Sequence, residues 1–291
     1  MFGLFAINKP PGPTSHDIVA GVRRKLGKGV KVGHAGTLDP FADGVLVVCA
    51  GGATRLADYV QAQPKRYRAV VRLGAASTTD DPEGEITPRP DATEPAEADV
   101  RRAIATFVGN IEQIPPSHSA VHVEGKRAYK LARAGKQVAL APRPVTVYGI
   151  DVLDYRWPEI ELDIRCGSGT YIRSLARDIG ETLQTAGYCQ ALTRTAVGVF
   201  DIEKAVSPDA LDPARDLLSP TLALVDMPRS VLDDPEQLAA LRTGRIVRLP
   251  EPAAAGATGK LALLDTESNL LAIAESREGG WEAQPVKVFC A

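Results

Sequence analysis

The chain has 291 residues, 44% apolar and 24% charged, an ordinary globular composition with room for one large domain or a large and a small one. Its net charge is −2. It holds no run of about 18 apolar residues, no basic–apolar–small leader pattern at its start and no Cys-x-x-Cys. These features predict a cytoplasmic protein in a reducing compartment, with no membrane span and no metal centre.

Charge is unevenly distributed. Residues 1–75 carry eleven Lys/Arg against four Asp/Glu, and residues 101–200 carry thirteen against nine. Residues 76–100 carry one against eight, and residues 201–291 nine against fifteen. Two basic stretches in an acidic chain are the footprint of a polyanion-binding surface, although chance clustering of solvated charges gives the same count.

In chain order, Leu4 to Lys9 reads as a strand that ends at the rigid turn Pro10-Pro11-Gly12-Pro13. Thr14 is a helix N-cap with Asp17 in capping-box position, and Ile18, Val19, Val22 and Leu26 follow at helical spacing. Residues 33–44 then form a glycine-rich loop that presents His34, Asp39 and Asp43. Pro40 biases Asp39 toward an extended or turn conformation. Taken alone, Asp39 is more often a structural turn residue than a catalytic one. The loop lacks the glycines and the Gly-Lys-Ser/Thr of a phosphate-binding loop.

Ala53 to Gln61 suits a helix. Lys65 to Leu73 alternates as a strand, with Lys65, Tyr67, Ala69 and Val71 on one face and Arg66, Arg68 and Val70 on the other. Residues 77–99 are acidic and rich in Pro and Thr, and are predicted to be a long surface excursion. A helix is expected from about Pro95 to Phe107, then a turn, a Pro115-Pro116 break and a strand to Val123. His118 and His122 share that strand, where their spacing does not suit a metal. Gly125 to Gln137 reads as a helix carrying Lys126, Arg127 and Lys130 around Tyr129, either an RNA-contacting face or a solvated one.

Val145 to Asp154 and Glu159 to Cys166 are predicted strands. Residues Cys166-Gly167-Ser168-Gly169-Thr170-Tyr171-Ile172-Arg173 are a strand end, a glycine turn and a helix start. Arg173 sits at the end of its helix where a cation is disfavoured, so it is a surface residue, or has an anionic partner, or reaches into a site. Ala191 to Phe200 is another strand. From residue 227 the pattern changes to short strands at Leu241 to Val247, Lys260 to Leu264, Leu270 to Ala274 and Val286 to Phe289. Two domains are expected, 1–226 and 227–291.

Several separated motifs now occur in one order. They are Asn8-Lys9-Pro10-Pro11-Gly12 with Ser15, Gly33-His34-Ala35-Gly36-Thr37-Leu38-Asp39-Pro40, Lys65-Arg66-Tyr67-Arg68, and Gly167 to Arg173. Gln113-Ile114-Pro115-Pro116 and Leu192 to Gly198 support them. Over residues 4 to 200 the chain strongly resembles the bacterial tRNA pseudouridine-55 synthases of the TruB type. The resemblance implies an α+β pseudouridine-synthase fold, a mixed, largely antiparallel sheet flanked by helices and loops. It also implies a small β-rich, PUA-like RNA-binding domain at the C-terminus.

The same resemblance implies an isomerase that flips uridine 55 out of the tRNA T-loop, breaks its glycosidic bond and rejoins the base through C5. It implies catalytic roles for Asp39, Tyr67 and Arg173, and substrate contacts for His34, Lys9, Tyr171 and Leu192. Arg66, Arg68, Lys126, Arg127 and Lys130 are candidates to hold RNA phosphates. No cofactor or metal is implied. The expected partner is the T-arm of tRNA, engaged by a monomer without guide RNA or membrane. An Arg173–Asp39 pair is expected to keep Asp39 ionised, since a neighbouring Arg lowers an Asp pKa by about 1–3 units. The chain departs from the family pattern at Tyr188 and Thr193, where His and Arg are usual. The rival readings are a non-catalytic RNA-binding protein and a glycosidase using Asp43 as a second carboxyl group.

Overall fold

A computed structural model describes residues 1–117, 122–123, 126–127, 140–253, 259–277 and 279–290. Its strands are β1 (Phe2–Lys9), β2 (Val32–His34), β3 (Asp43–Gly51), β4 (Lys65–Leu73), β5 (Ala75–Ser77), β6 (Ile86–Pro88), β7 (Gly109–Gln113), β8 (His122–Val123) and β9 (Lys126–Arg127). They continue with β10 (Arg143–Arg156), β11 (Glu159–Cys166), β12 (Gly187–Val197), β13 (Phe200–Asp201), β14 (Arg229–Val231), β15 (Val247–Arg248), β16 (Lys260–Leu264), β17 (Leu270–Ser276) and β18 (Glu282–Val288). The α-helices are α1 (Ser15–Leu26), α2 (Ala57–Ala62), α3 (Glu97–Ala105), α4 (Ile172–Thr182) and α5 (Pro235–Arg242).

The main sheet runs β1-β3-β12-β4-β11-β10-β7, with β2 beside β3 and β13 beside β12. All its pairings are antiparallel except β3 with β12, which meet in parallel over two residue pairs, Thr193 with Asp43 and Arg194 with Gly44. The fold is therefore α+β with a mixed, largely antiparallel sheet.

That short parallel contact depends on Gly44. Its φ is +102°, and a Cβ there would lie 2.2 Å from the Arg194 carbonyl oxygen. Only glycine suits both the left-handed backbone and the close approach. Gly44→Ala is expected to destabilise the protein by about 2–4 kcal/mol. Urea unfolding checks this as a lower midpoint at unchanged slope.

Hydrophobic patterning explains the layers. In β1, Leu4, Phe5, Ala6 and Ile7 are all buried, and so are Val45 to Ala50 in β3. Continuous apolar runs like these suit strands covered on both faces. On one face Phe5, Ile7, Leu46 and Val48 join Ile18, Val19 and Val22 of α1 and Leu175, Ala176 and Ile179 of α4. On the other, Leu4, Ala6, Val45 and Val47 pack with Leu56, Val60 and Leu224, and with Ala262, Leu264, Leu270 and Ile273 of the second sheet.

The second sheet has the order β14-β16-β17-β18-β15. Alternation along β16 sends Ala262 and Leu264 to the main sheet and Leu261 and Leu263 to a core with Leu241 and Val247. Further contacts join the parts: Phe2 stacks on Phe289 at 5.2 Å, and Arg55 lies over the same ring. Two candidate units were expected here, and the apolar layer between the sheets is shared by both.

Some local expectations hold and others fail. Thr14 caps α1 in a reciprocal capping box with Asp17, as expected. The strand expected at Leu241 to Val247 begins only at Val247, as β15, and its start at Leu241 is instead the end of α5. Asp234 accepts from the Glu236 amide and Pro235 occupies the first turn, a helix-start signal that outweighs the apolar run. Ala53 to Gln61 begins as a 3-10 turn over Gly52–Leu56 before α2. The helix expected over Gly125 to Gln137 does not begin as such, because Lys126–Arg127 form β9 against β8. Lys130 and the rest of that segment lie outside the described residues.

Candidate active site

The loop between β2 and β3 is held almost entirely by its backbone carbonyls. The Ser15 hydroxyl donates to the Leu38 carbonyl and accepts from the Leu38 amide, both at 2.9 Å. The Lys9 ammonium, fully buried, donates to the carbonyls of Pro10, Pro13 and Pro40 at 2.8, 3.0 and 3.2 Å. The Gly12 amide donates to Pro40 as well. Arg194 on β12 donates to the Gly36 and Thr37 carbonyls at 3.2 and 3.1 Å. A loop of glycines and prolines, with few side chains to pack, is thus given one shape by three polar residues from distant elements.

The loop delivers Asp39 to the side chain of Arg173. Arg173 Nε lies 2.9 Å from Asp39 Oδ2, and Nη2 donates to Oδ1 at 3.4 Å. The guanidinium is 4% exposed and the Asp39 side chain 32%, so the carboxylate forms the open end of a pair whose other half is inside the protein. Arg173 Nη1 donates to Asp81 Oδ2 and to the Thr79 carbonyl, each at 2.9 Å. The sequence reading gave Arg173 an anionic partner as one of its options. The structure gives it two.

Asp81 is the residue that sequence reasoning missed. The acidic stretch 77–99 looked like a surface excursion, but its first part is a β5–β6 hairpin that turns Asp80 and Asp81 inward against α4. Asp81 Oδ1 also accepts from the Glu83 amide and from the Thr79 hydroxyl. Asp80 pairs with Arg177, one helical turn beyond Arg173, at 2.9 Å. The available signal was two adjacent acids beside small hydroxyl residues, in an acidic block between two basic ones.

A cavity of about 210 Å³ opens beside this pair, lined by Asp39, Lys65, Tyr67, Gly167 to Arg173, Leu192 and Arg194. Tyr67 comes from β4 and Leu192 from β12. Tyr171 enters at the start of α4, where the Gln113 side chain bonds its amide at 2.8 Å and its carbonyl at 3.0 Å. Asp39, Tyr67, Arg173, Tyr171 and Leu192 therefore meet in one cleft.

Other predicted residues do not reach it. Arg66 and Arg68 alternate with Tyr67 onto the opposite face of β4, where Arg66 pairs with Asp163 at 2.8 Å and Arg68 with Glu161 at 2.5 Å. These exposed pairs screen the charge that an RNA contact would need. Lys9 spends its three donors on carbonyls and acts on the loop from behind. His34 lies on β2 with its ring edge-on to His16 at 5.3 Å. Its Nδ1 is buried without a hydrogen-bond partner, and burial with the charges of His16 and Arg194 holds its pKa down to about 4.

The electrostatics differ from the sequence expectation in one respect. Burial pushes the Asp39 pKa up, Arg173 pulls it down, and the Asp81 charge pushes it up again. The net direction is upward, because burial outweighs the pull of Arg173. Burial also raises the Tyr67 phenol, against a downward pull from Arg194, and brings Lys65 down to about 8. The resulting site has one directed carboxylate, an aromatic wall and buried cations. Among the described residues, no cluster of three or more His, Cys, Asp or Glu is arranged to hold a metal ion.

This fold is that of the pseudouridine synthases. It superposes on a chain of a structure described as a Cbf5-Nop10-Gar1 complex with a TM-score of 0.76 at 26% identity, covering 99% of this chain and 85% of that one. A chain of an H/ACA RNP bound to a substrate RNA containing 2'-deoxyuridine gives 0.75 at 23% identity, covering 100% and 86%. The chain belongs to the TruB family of pseudouridylate synthases, and is an isomerase: the family's N-terminal-domain model matches residues 23–172. It is 42% identical over 295 residues to tRNA pseudouridine synthase B of Thermobifida fusca (strain YX), covering 99% of this chain and 98% of that protein. To the protein of the same description from Microcystis aeruginosa (strain NIES-843 / IAM M-2473) it is 48% identical over 234 residues, 78% of each.

Proposed function

We propose that the chain converts uridine 55 in the T-loop of tRNA to pseudouridine, with Asp39 as the catalytic carboxylate. The observation that carries this reading is the Asp39 carboxylate, held at 2.9 Å by a buried Arg173 at the mouth of a cavity walled by Tyr67 and Leu192. The target uridine leaves its stack, at a cost of a few kcal/mol, and enters the cavity. Stacking on Tyr67 returns about 1–3 kcal/mol.

The N1–C1′ bond then breaks and a C5–C1′ bond forms. The proton lost from C5 is balanced by one gained at N1, so the reaction is an isomerisation without redox or group transfer. The ionised Asp39 serves either of two routes: a covalent bond to the sugar or base, or removal of a ribose proton to give a glycal. Arg173 aims the carboxylate in both.

Residues 1–226 are read as the catalytic domain and 227–291 as a PUA-like RNA-binding domain, acting as a monomer on tRNA alone. Support comes from the tRNA synthases among the relatives and from the β-rich second sheet. Pseudouridine mapping on an unmodified tRNA transcript tests the reading. Modification at position 55 without guide RNA or added protein is expected, and its absence there would sink the assignment. Tyr67 has its own check: Tyr67→Phe is expected to lower turnover while keeping RNA affinity, whereas Tyr67→Leu loses both. Identical kinetics for the two variants would remove stacking from the account.

A further inference from the structure

Arg194 is 2% exposed and lines the catalytic cavity. Its guanidinium donates to three carbonyls: Val45 at 2.7 Å through Nε, Thr37 at 3.1 Å through Nη1 and Gly36 at 3.2 Å through Nη2. Among the described residues, no carboxylate lies within ion-pair distance of it. A buried cation without an anion carries a large desolvation cost, and neutral donors would serve the carbonyls with less. The charge itself therefore needs a reason.

The neighbours supply one. Arg194 stands directly across the β4–β12 ladder from Tyr67, so the two side chains are immediate cross-strand partners on the cavity face. Both side chains line the cavity, and the charge of the guanidinium acts on the phenol and reaches Asp39 too. One residue thus touches both pieces that the reaction must hold together: the loop that carries Asp39, through Gly36 and Thr37, and the aromatic wall, through Tyr67.

We propose that Arg194 is a positioning residue of the isomerisation, a single buried guanidinium that fixes the Asp39 loop against the Tyr67 hydroxyl. It rests on the tRNA reading above. Arg194 does not contact the base; it sets the distance and direction between the two groups that do. Fixed charge in a closed site of this kind acts without rearrangement during the reaction.

The test is a double-mutant cycle on an unmodified tRNA transcript, using wild type, Arg194→Lys, Tyr67→Phe and the double variant. Arg194→Lys is expected to lower kcat by about 10- to 100-fold with KM for tRNA within about twofold. The double variant is expected to lose at least about tenfold less than the product of the two single losses, because the hydroxyl through which Arg194 acts is already gone. Losses that simply multiply overturn the proposal, as does a loss confined to KM or a wild-type kcat in Arg194→Lys. Arg194→Gln, which keeps an N–H donor for the loop carbonyls, replaces the lysine variant if thermal melting shows that variant unfolded; wild-type kcat in Arg194→Gln likewise overturns it. Wild-type protein that makes no pseudouridine in tRNA would instead remove the functional reading itself.

Discussion

Asp39→Asn is expected to abolish turnover, by on the order of 10⁴-fold or more, with tRNA affinity near that of the wild type. The amide keeps the size of the carboxylate but supplies neither a nucleophile nor a base. The pocket survives the change. Arg173 keeps its bonds to Asp81 and Thr79, so no buried charge is orphaned. Thermal melting at pH 7 is expected to find the variant no less stable than the wild type.

The sign follows from the raised pKa of Asp39. A carboxyl group whose folded pKa lies above its unfolded value stabilises the fold at low pH, and loses that contribution as pH rises through the folded pKa. Wherever the group is ionised it is a cost to the fold. Modification assays paired with filter binding check the first part. Turnover by Asp39→Asn near the wild-type rate would exclude the carboxylate from the chemistry.

Arg173→Met is expected to have the second-largest effect, and to act on stability as well as rate. It leaves Asp81, 4% exposed, without its cation, and breaking a buried pair costs about 3–5 kcal/mol. It also removes the pull that opposes burial at Asp39, so the acid limb of kcat/KM moves to higher pH. Asp81→Asn moves the same limb the other way, because it removes a charge that raises the Asp39 pKa and leaves Arg173 to Asp39 alone. In the wild type the limb is expected above the ordinary aspartate value, with activity falling as pH drops through it. Opposite displacements in the two variants are the signature of a shared guanidinium. Displacement in one direction by both would separate Asp81 from the pair.

Much of this site was legible in the sequence because its parts lie in stretches where one feature dominates. The proline after Asp39 biased its setting toward an extended or turn conformation, the alternation of Lys65 to Leu73 put Tyr67 on the apolar face, and the misplaced charge of Arg173 left an anionic partner as one of its options. The same alternation already separated Arg66 and Arg68 from Tyr67, and their position next to it in sequence obscured this. Asp81 was hidden because acidity, Pro and Thr describe a solvated loop and a buried hairpin equally well. Its burial is decided by Arg173, ninety-two positions away. Arg194 was hidden for a related reason: nothing local distinguishes a strand arginine that bonds carbonyls across a sheet from one in solvent. Among the elements, the Leu241 to Val247 strand shrank to its end at Val247 because Asp234-Pro235 starts a helix that takes Leu241.

Strand β3 has no face open to solvent, with α1 packed over one side and the second sheet over the other. Its amide protons, bonded in the sheet and covered on both sides, are therefore expected to exchange only through large-scale opening. The loop ahead of it is tied down mainly through its carbonyls by Ser15, Lys9 and Arg194, and the Ala35, Leu38 and Ala42 amides are themselves bonded. Hydrogen–deuterium exchange with mass spectrometry is expected to find residues 44–51 among the slowest in the chain, with the bonded amides of Ala35, Leu38 and Ala42 slower than the other amides of the loop. The carboxylate is then aimed before any RNA arrives, and none of the binding energy goes into ordering it.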